Sequence, residues 1–146
     1  MSKIRLAIID DHQVVINGLK SMLAGDTDLQ VDYSTQSSEE LLQYFQNNLP
    51  DILLMDMQMP GLSGVDLGKL ILRQYPQIKI IAFSSFDDSS LVKQILRAGA
   101  MGYVLKNADW QTITKAIHQV MQGEQFVDET IQKILLQETL SGQRRS

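Results

Sequence analysis

Ten residues, Ile52-Leu53-Leu54-Met55-Asp56-Met57-Gln58-Met59-Pro60-Gly61, restrict the fold of this chain more than any other stretch. The apolar run at their start is long enough for a buried strand and too short for a helix. It stops at one carboxylate, and the Pro-Gly pair that follows cannot continue a strand. A charge at the end of a hydrophobic strand is costly unless something meets it there. Parallel α/β folds put their chemistry on such strand-end loops.

The flanking sequence repeats the theme. Leu6-Ala7-Ile8-Ile9 reads as a first buried strand ended by Asp10-Asp11. Val15, Leu19, Met22 and Leu23 then recur at helical spacing, with Gly25 as a stop. Leu29 to Tyr33 is a shorter, weaker strand. Ser37 with Glu40 matches a capping box for a second helix, whose apolar face is Leu41, Leu42, Phe45 and Leu49 before Pro50. Val65, Leu67, Leu70 and Ile71 predict a third helix, closed before Pro76. Ile78 to Phe83 is a fourth strand running into Ser84-Ser85, and Leu91, Val92, Ile95 and Leu96 form a fourth helical face that stops at Gly99. Met101 to Leu105 is the fifth strand, closed by Lys106. Asp109 is the N-cap of a fifth helix carrying Ile113, Ala116, Ile117 and Val120.

Five strands alternating with five helices predict an α/β fold, a doubly wound five-stranded parallel sheet with right-handed crossovers covering both faces. After Gly123 the pattern changes. Asp128 can cap a further helix carrying Ile131, Ile134 and Leu135, followed by the polar run Ser141-Gly142-Gln143-Arg144-Arg145-Ser146. The expected organisation is a globular domain over residues 1–123. Residues 124–146 are expected to form a linker or docking helix with a polar tail, not a sixth βα unit, leading towards a further domain.

Composition excludes several function classes. The chain has 146 residues and no cysteine, so thiolate metal sites, disulfides and cysteine nucleophiles are out. A formal net charge of −4 argues against a nucleic-acid grip by this segment. The short apolar run after Met1-Ser2-Lys3-Ile4-Arg5 is too short for a signal peptide or a membrane span, and a cytoplasmic location is expected.

The polar residues converge on that frame. Asp10 and Asp11 follow strand one, Asp56 strand three, Ser84 strand four and Lys106 strand five. In the strand order 2-1-3-4-5, strands one and three meet at the switch point, where open α/β sheets bind ligands. Two carboxylates about 4 Å apart repel by roughly 4 kcal/mol at an effective dielectric near 20, so three of them hold protons or a cation. An all-oxygen donor set favours a hard ion such as Mg²⁺. With a metal and Lys106 beside it, Asp56 becomes a credible nucleophile toward phosphorus. Each residue alone has a plainer reading: Asp10 or Asp11 as a helix cap, Asp56 as a loop cap, Ser84 as a turn former, Lys106 as a solvated strand end. His12 reads as a surface or cap residue. The plain readings do not explain why five polar residues fall at successive strand ends on one edge.

With Asp10-Asp11, the Asp56 to Gly61 loop, Ser84-Ser85 and Gly102-Tyr103-Val104-Leu105-Lys106 in order, the chain from about Lys3 to Gly123 resembles the receiver domain of bacterial two-component response regulators. Asp-Asp-His followed by Val15 and Gly18-Leu19, with no proline after Lys106, is most similar to the NarL/FixJ (LuxR-type) subfamily, which usually carries a C-terminal helix-turn-helix DNA-binding domain. The resemblance implies a flavodoxin-like (βα)5 fold and makes Asp56 the phosphoacceptor for a partner sensor histidine kinase. It implies that Asp11, Asp56 and the backbone carbonyl of Gln58 hold Mg²⁺ directly, with Asp10 contacting it mainly through water. Lys106 would pair with the phosphoryl oxygens, and Ser84 would hydrogen-bond the group and draw its loop inward. Tyr103 would swing into the space vacated, altering the face of the fourth helix, fifth strand and fifth helix for homodimerisation or a partner domain. DNA contact is expected only through a C-terminal domain. Ser85 stands where alanine is more usual, Asn107 where Asp or Ser is common, and Gln58 and Phe86 occupy positions that tune dephosphorylation.

Other readings share the fold. An Asp-nucleophile phosphohydrolase wants a second acid two residues after the nucleophile, where Gln58 stands. A flavodoxin-like cofactor binder wants a glycine- and hydroxyl-rich loop after strand one, where Asp10-Asp11 would repel a phosphate. A module that signals without phosphorylation keeps the same pocket. The expected chemistry is that of a switch, not of a turnover enzyme.

Overall fold

The computed structural model describes residues 2–85 and 89–145, with side chains as far as residue 141. Five elements of strand followed by helix come first: β1 (Ile4–Ile9) and α1 (Gln13–Leu23), β2 (Leu29–Thr35) and α2 (Ser38–Phe45), β3 (Ile52–Asp56) and α3 (Gly64–Gln74), β4 (Lys79–Ser84) and α4 (Ser89–Ala98), β5 (Gly102–Leu105) and α5 (Trp110–Met121). A two-residue β6 (Phe126–Val127) and a long α6 (Glu129–Arg145) follow. Every pairing is parallel, in the order β2-β1-β3-β4-β5-β6.

The sheet therefore has six strands where five were expected. The segment after Gly123 adds β6 to the edge, with Gly102 opposite Phe126 and Tyr103 opposite Val127. Two residues are too few to show a period of two, which is why the strand is invisible in the sequence. Two helical assignments also change. α2 stops at Phe45, where the amides of Asn47 and Asn48 turn back to the Tyr44 carbonyl, so Leu49 lies beyond the helix and is 37% exposed. In α1 the inward positions are Ile16, Leu19 and Leu23, whereas Met22 is 39% exposed.

Strand alternation sorts the core into two halves. Leu6 and Ile8 of β1, Ile52 and Leu54 of β3, Ile81 and Phe83 of β4 and Val104 of β5 pack with α1 and α5. Ala7 and Ile9, Leu53 and Met55, Ile80 and Ala82, and Tyr103 pack on the opposite face with α2, α3 and α4, joined there by Ile131 of α6. Both faces of β3 are dry, and all five of its residues are buried. Helix starts are fixed by side chains: Ser37 accepts from the Glu40 amide, Ser63 from the Asp66 amide and Asp109 from the Thr112 amide. The capping box is half formed, because the Glu40 carboxylate accepts from the Thr35 hydroxyl at 2.7 Å.

Gly64 opens α3 directly over the loop that leaves β3. A Cβ at this position would stand 2.8 Å from Met57 Cα, a backbone atom that cannot swing aside. Gly64→Ala is thus expected to destabilise the fold by about 1–3 kcal/mol in denaturant titration, the usual range for forced overpacking. A change within about 0.5 kcal/mol, the ordinary range of surface substitutions, would show that the loop yields freely.

Candidate functional site

The alternation that builds the core also aims the site. Leu6 and Ile8 face α1 and α5, and Asp10 continues that parity just past β1; Asp56 continues Ile52 and Leu54, and Lys106 continues Val104. The register pairs Leu6 with Ile52 and Ile8 with Leu54, so Asp10 and Asp56 fall at neighbouring strand ends. Ser84 has the other parity, that of Ile80 and Ala82, and pairs with Leu105 while Ala82 pairs with Tyr103. Polar charge lies towards the α1 and α5 side of the edge, and Ser84 and Tyr103 towards the α4 side.

Asp10 and Asp56 are held by the same device. Each carboxylate Oδ1 accepts a hydrogen bond from the backbone amide two residues on, His12 for Asp10 and Gln58 for Asp56, both at 2.9 Å. Asx turns of this kind fix the carboxylate against its own loop. Lys106 bridges the pair, with Nζ 3.0 Å from Asp10 Oδ2 and 3.1 Å from Asp56 Oδ1. Its position is set by β5, since the Lys106 amide donates to the Ser84 carbonyl at 2.8 Å. The Ser84 side chain is fully buried at the end of β4, one residue past the Phe83 that pairs with Asp56.

Burial raises the pKa of Asp56 above its usual value of 3.8, and the neighbouring Asp10 charge adds to the shift; the Gln58 amide and Lys106 oppose it without cancelling it. Burial pulls the Lys106 ammonium down, but its bonds to Asp10 and Asp56 outweigh this and raise it above 10.5. Lys106 is therefore fully charged at neutral pH.

Two carboxylate oxygens are left over. Asp11 Oδ1 and Asp56 Oδ2 are buried and receive no hydrogen bond. His12 Nδ1 lies 2.9 Å from Asp11 Oδ1 but makes no hydrogen bond to it. Orphaned anionic oxygens of this kind are expensive without a partner. Ligand atoms of Asp10, Asp11, His12 and Asp56 all lie within 4.8 Å of one another, so the acidic pocket fits a small oxygen-seeking cation such as Mg²⁺.

Asp10, Asp11, Asp56 and Lys106 thus come together as the strand ends implied, with the Gln58 backbone bound to Asp56. Tyr103 is wholly buried in the core half beneath α4 and α6. Phe86 lies outside the described residues. His12 stands at the N-cap of α1 as expected, without a side-chain cap bond. Its closeness to both acids was missed, although its adjacency to Asp11 in the chain was the available signal.

Residues 6–118 match the response regulator receiver domain family. The chain is 33% identical over 137 residues to the transcriptional regulatory protein DegU of Brevibacillus brevis, covering 94% of this chain and 58% of DegU. It is 36% identical over 138 residues to the oxygen regulatory protein NreC of Staphylococcus aureus, covering 94% of this chain and 64% of NreC. A structure of the RcsB response regulator of Salmonella typhimurium, described for its conformational dynamism for DNA interaction, superposes with a TM-score of 0.90 at 25% identity, over 97% of this chain and 70% of that one. These are regulators of the LuxR/NarL type. The chain spans about three fifths of the length of the curated relatives it matches.

Proposed function

The chain belongs to the response regulator receiver domain family, and from that premise we propose that it is a phosphorylation-driven switch of a two-component system, with Asp56 as the phosphoacceptor. One observation carries the reading. Of the two Asp56 oxygens, Oδ1 is engaged by the Gln58 amide and Lys106, whereas Oδ2 is buried and unpartnered. The carboxylate is clamped through one oxygen and unsatisfied at the other.

In the proposed transfer a new O–P bond forms at Asp56 while the P–N bond of a phosphohistidine on the sensor kinase breaks, its electron pair returning to the imidazole. The incoming group meets a fixed ammonium, since Lys106 is already charged and tied to Asp10. Preorganised charge of this kind stabilises phosphoryl oxygens without reorganising. Asp11, Asp56 and the Gln58 carbonyl would hold Mg²⁺, with Asp10 mainly through water, and the ion would supply neutralising charge to the phosphoryl oxygens. Ser84 would then accept a role at the phosphoryl group, and Tyr103, whose neighbour across β4 is the small Ala82, would follow it. The chain's own chemistry is limited to gaining and slowly losing this one group.

The domain division proposed is a receiver over residues 1–123, with 124–146 leading to an output. By analogy with RcsB, the proposed output is DNA binding through a C-terminal domain, with homodimerisation on phosphorylation. No helix among the described residues is long and apolar enough to cross a membrane.

Metal binding has a direct test. A ligand that binds only the native state at 100 times its Kd adds about 2.7 kcal/mol of stability. For a chain of this size that corresponds to a rise in Tm of roughly 5–10 °C. Saturating Mg²⁺ should produce it, EDTA should reverse it, and Asp11→Asn should remove most of it. An unchanged Tm across the titration would count against the metal site.

A further inference from the structure

Among the described residues, four bring ligand atoms within 4.8 Å of one another at the strand-end pocket, and the switch reading uses only the three acids. The fourth is His12. It occupies the N-cap position of α1, yet its side chain makes no cap hydrogen bond there. Its backbone is pinned instead, because the His12 amide donates to Asp10 Oδ1 at 2.9 Å. The imidazole lies against the acids, with Nδ1 2.9 Å from Asp11 Oδ1 and 3.4 Å from Asp10 Oδ1. The ring is 65% exposed and stands at the rim of the pocket.

The spacing is that of neighbouring ligands. Two donor atoms at adjacent corners of an octahedron with bonds near 2.1 Å stand about 3 Å apart. Asp11 Oδ1 and His12 Nδ1 keep that distance without a hydrogen bond between them, which leaves the Asp11 oxygen open to a third atom. Asp56 Oδ2 is an independent sign of a missing cation, being an unpartnered oxygen on a fully buried side chain of the same cluster. Lys106 does not supply that charge, since its Nζ is placed on Asp10 Oδ2 and Asp56 Oδ1.

We propose that His12 Nδ1 is a direct ligand of the divalent ion in this pocket, and that it makes the site selective for nitrogen-seeking first-row ions such as Ni²⁺ over Mg²⁺. His12 in this role presupposes the metal-binding reading of Asp11 and Asp56 and adds the choice of ion. Carboxylate oxygens alone suit Mg²⁺ or Mn²⁺, whereas an imidazole nitrogen favours Ni²⁺, Zn²⁺ and Cu²⁺. Mg²⁺, which prefers oxygen and keeps its water, gains little from the ring. A late transition ion would then displace Mg²⁺ from beside Asp56.

The sequence holds two histidines and no cysteine, so His12 and His118 are the only imidazole sources in the untagged chain. His118 belongs to a separate cluster with Asp26 and Asp28, where its Nε2 lies 2.8 Å from Asp26 Oδ2, and His118→Gln removes it. Mn²⁺ is the spectroscopic probe. Loss of the free-ion electron paramagnetic resonance signal measures its binding, and spin-echo modulation, compared with and without ¹⁵N-labelled histidine, reads a histidine nitrogen on the bound ion. The expected result is a histidine modulation in the parent and in His118→Gln that disappears in His12→Ala. Displacement of Mn²⁺ by Ni²⁺ or by Mg²⁺ gives the two affinities. His12→Ala is expected to weaken Ni²⁺ by at least about 10-fold, the lower bound seen when groups that merely support a metal ligand are removed. Mg²⁺, which replaces the lost donor by water, should lose much less.

Bound Mn²⁺ with no histidine signal overturns the inference and leaves the acidic metal site standing. A signal that persists in His12→Ala and vanishes in His118→Gln places the nitrogen in the other cluster and overturns it too. Equal losses of Ni²⁺ and Mg²⁺ affinity in His12→Ala do the same, since a residue that only supports the loop acts on both ions alike. No Mn²⁺ bound by the folded parent overturns both readings.

Discussion

Replacing Asp56 by Asn is expected to abolish phosphoryl incorporation and, at the same time, to stabilise the metal-free protein at neutral pH. The second effect follows from the raised pKa of this buried carboxyl. The folded state binds its proton more tightly than the unfolded chain does. The group's contribution is therefore most favourable below about 3.8, the unfolded value, and is lost as pH rises through the higher folded value. Above that folded value the protein carries the cost of an ionised buried carboxylate with one orphaned oxygen. Asn keeps an acceptor for the Gln58 amide and places a neutral donor among the remaining acids, while Lys106 retains Asp10 at 3.0 Å. A gain of about 1–3 kcal/mol at pH 7 in denaturant titration is expected, the cost of leaving one buried acceptor unsatisfied, because Lys106 keeps Asp10 as its partner. It should shrink towards pH 4. A variant less stable than its parent at pH 7 would mean that the pocket is not strained by charge.

Removing the cation should do the reverse. Lys106→Met leaves Asp10 and Asp56 buried side by side without the ammonium that bridges them at 3.0 and 3.1 Å. Breaking a buried pair on one side typically costs about 3–5 kcal/mol, and a loss of that order is expected at pH 7. Acid should relieve it, because protonated carboxyls no longer need the ammonium. Combining Lys106→Met with Asp56→Asn should restore most of the loss, since one of the two stranded charges is then gone. Equal losses in the single and double variants would show that Lys106 acts through packing of its stem and not through charge.

Much of this was legible before any coordinates, for reasons that differ by residue. β3 is buried on both faces and so reads as an unbroken apolar run, and the residue that breaks it, Asp56, is the one the site is built on. Asp10 and Lys106 were visible because parallel strands share one edge, so a polar residue at each end converges whatever the details of packing. Their parity could also be counted from the sequence, but the bridging role of Lys106 could not, since it depends on register between strands far apart in the chain. The orphaned oxygens of Asp11 and Asp56 were not legible at all, because satisfaction of a carboxylate depends on where each amide points. β6 and the seating of Ile131 escaped for a simpler reason. A two-residue strand carries no period, and the helix after it shows its inner face only once α4 is known to lie alongside.

Intact-mass spectrometry after incubation with acetyl phosphate tests the phosphoacceptor assignment most directly, with Mg²⁺ present or chelated and with Asp56→Asn alongside. The expected result is a single phosphoryl increment that requires Mg²⁺ and disappears in the variant. An increment that survives Asp56→Asn would place the acceptor elsewhere. A folded protein that never gains one, even when sampled within seconds, would contradict the account and leave a receiver fold that signals without phosphorylation.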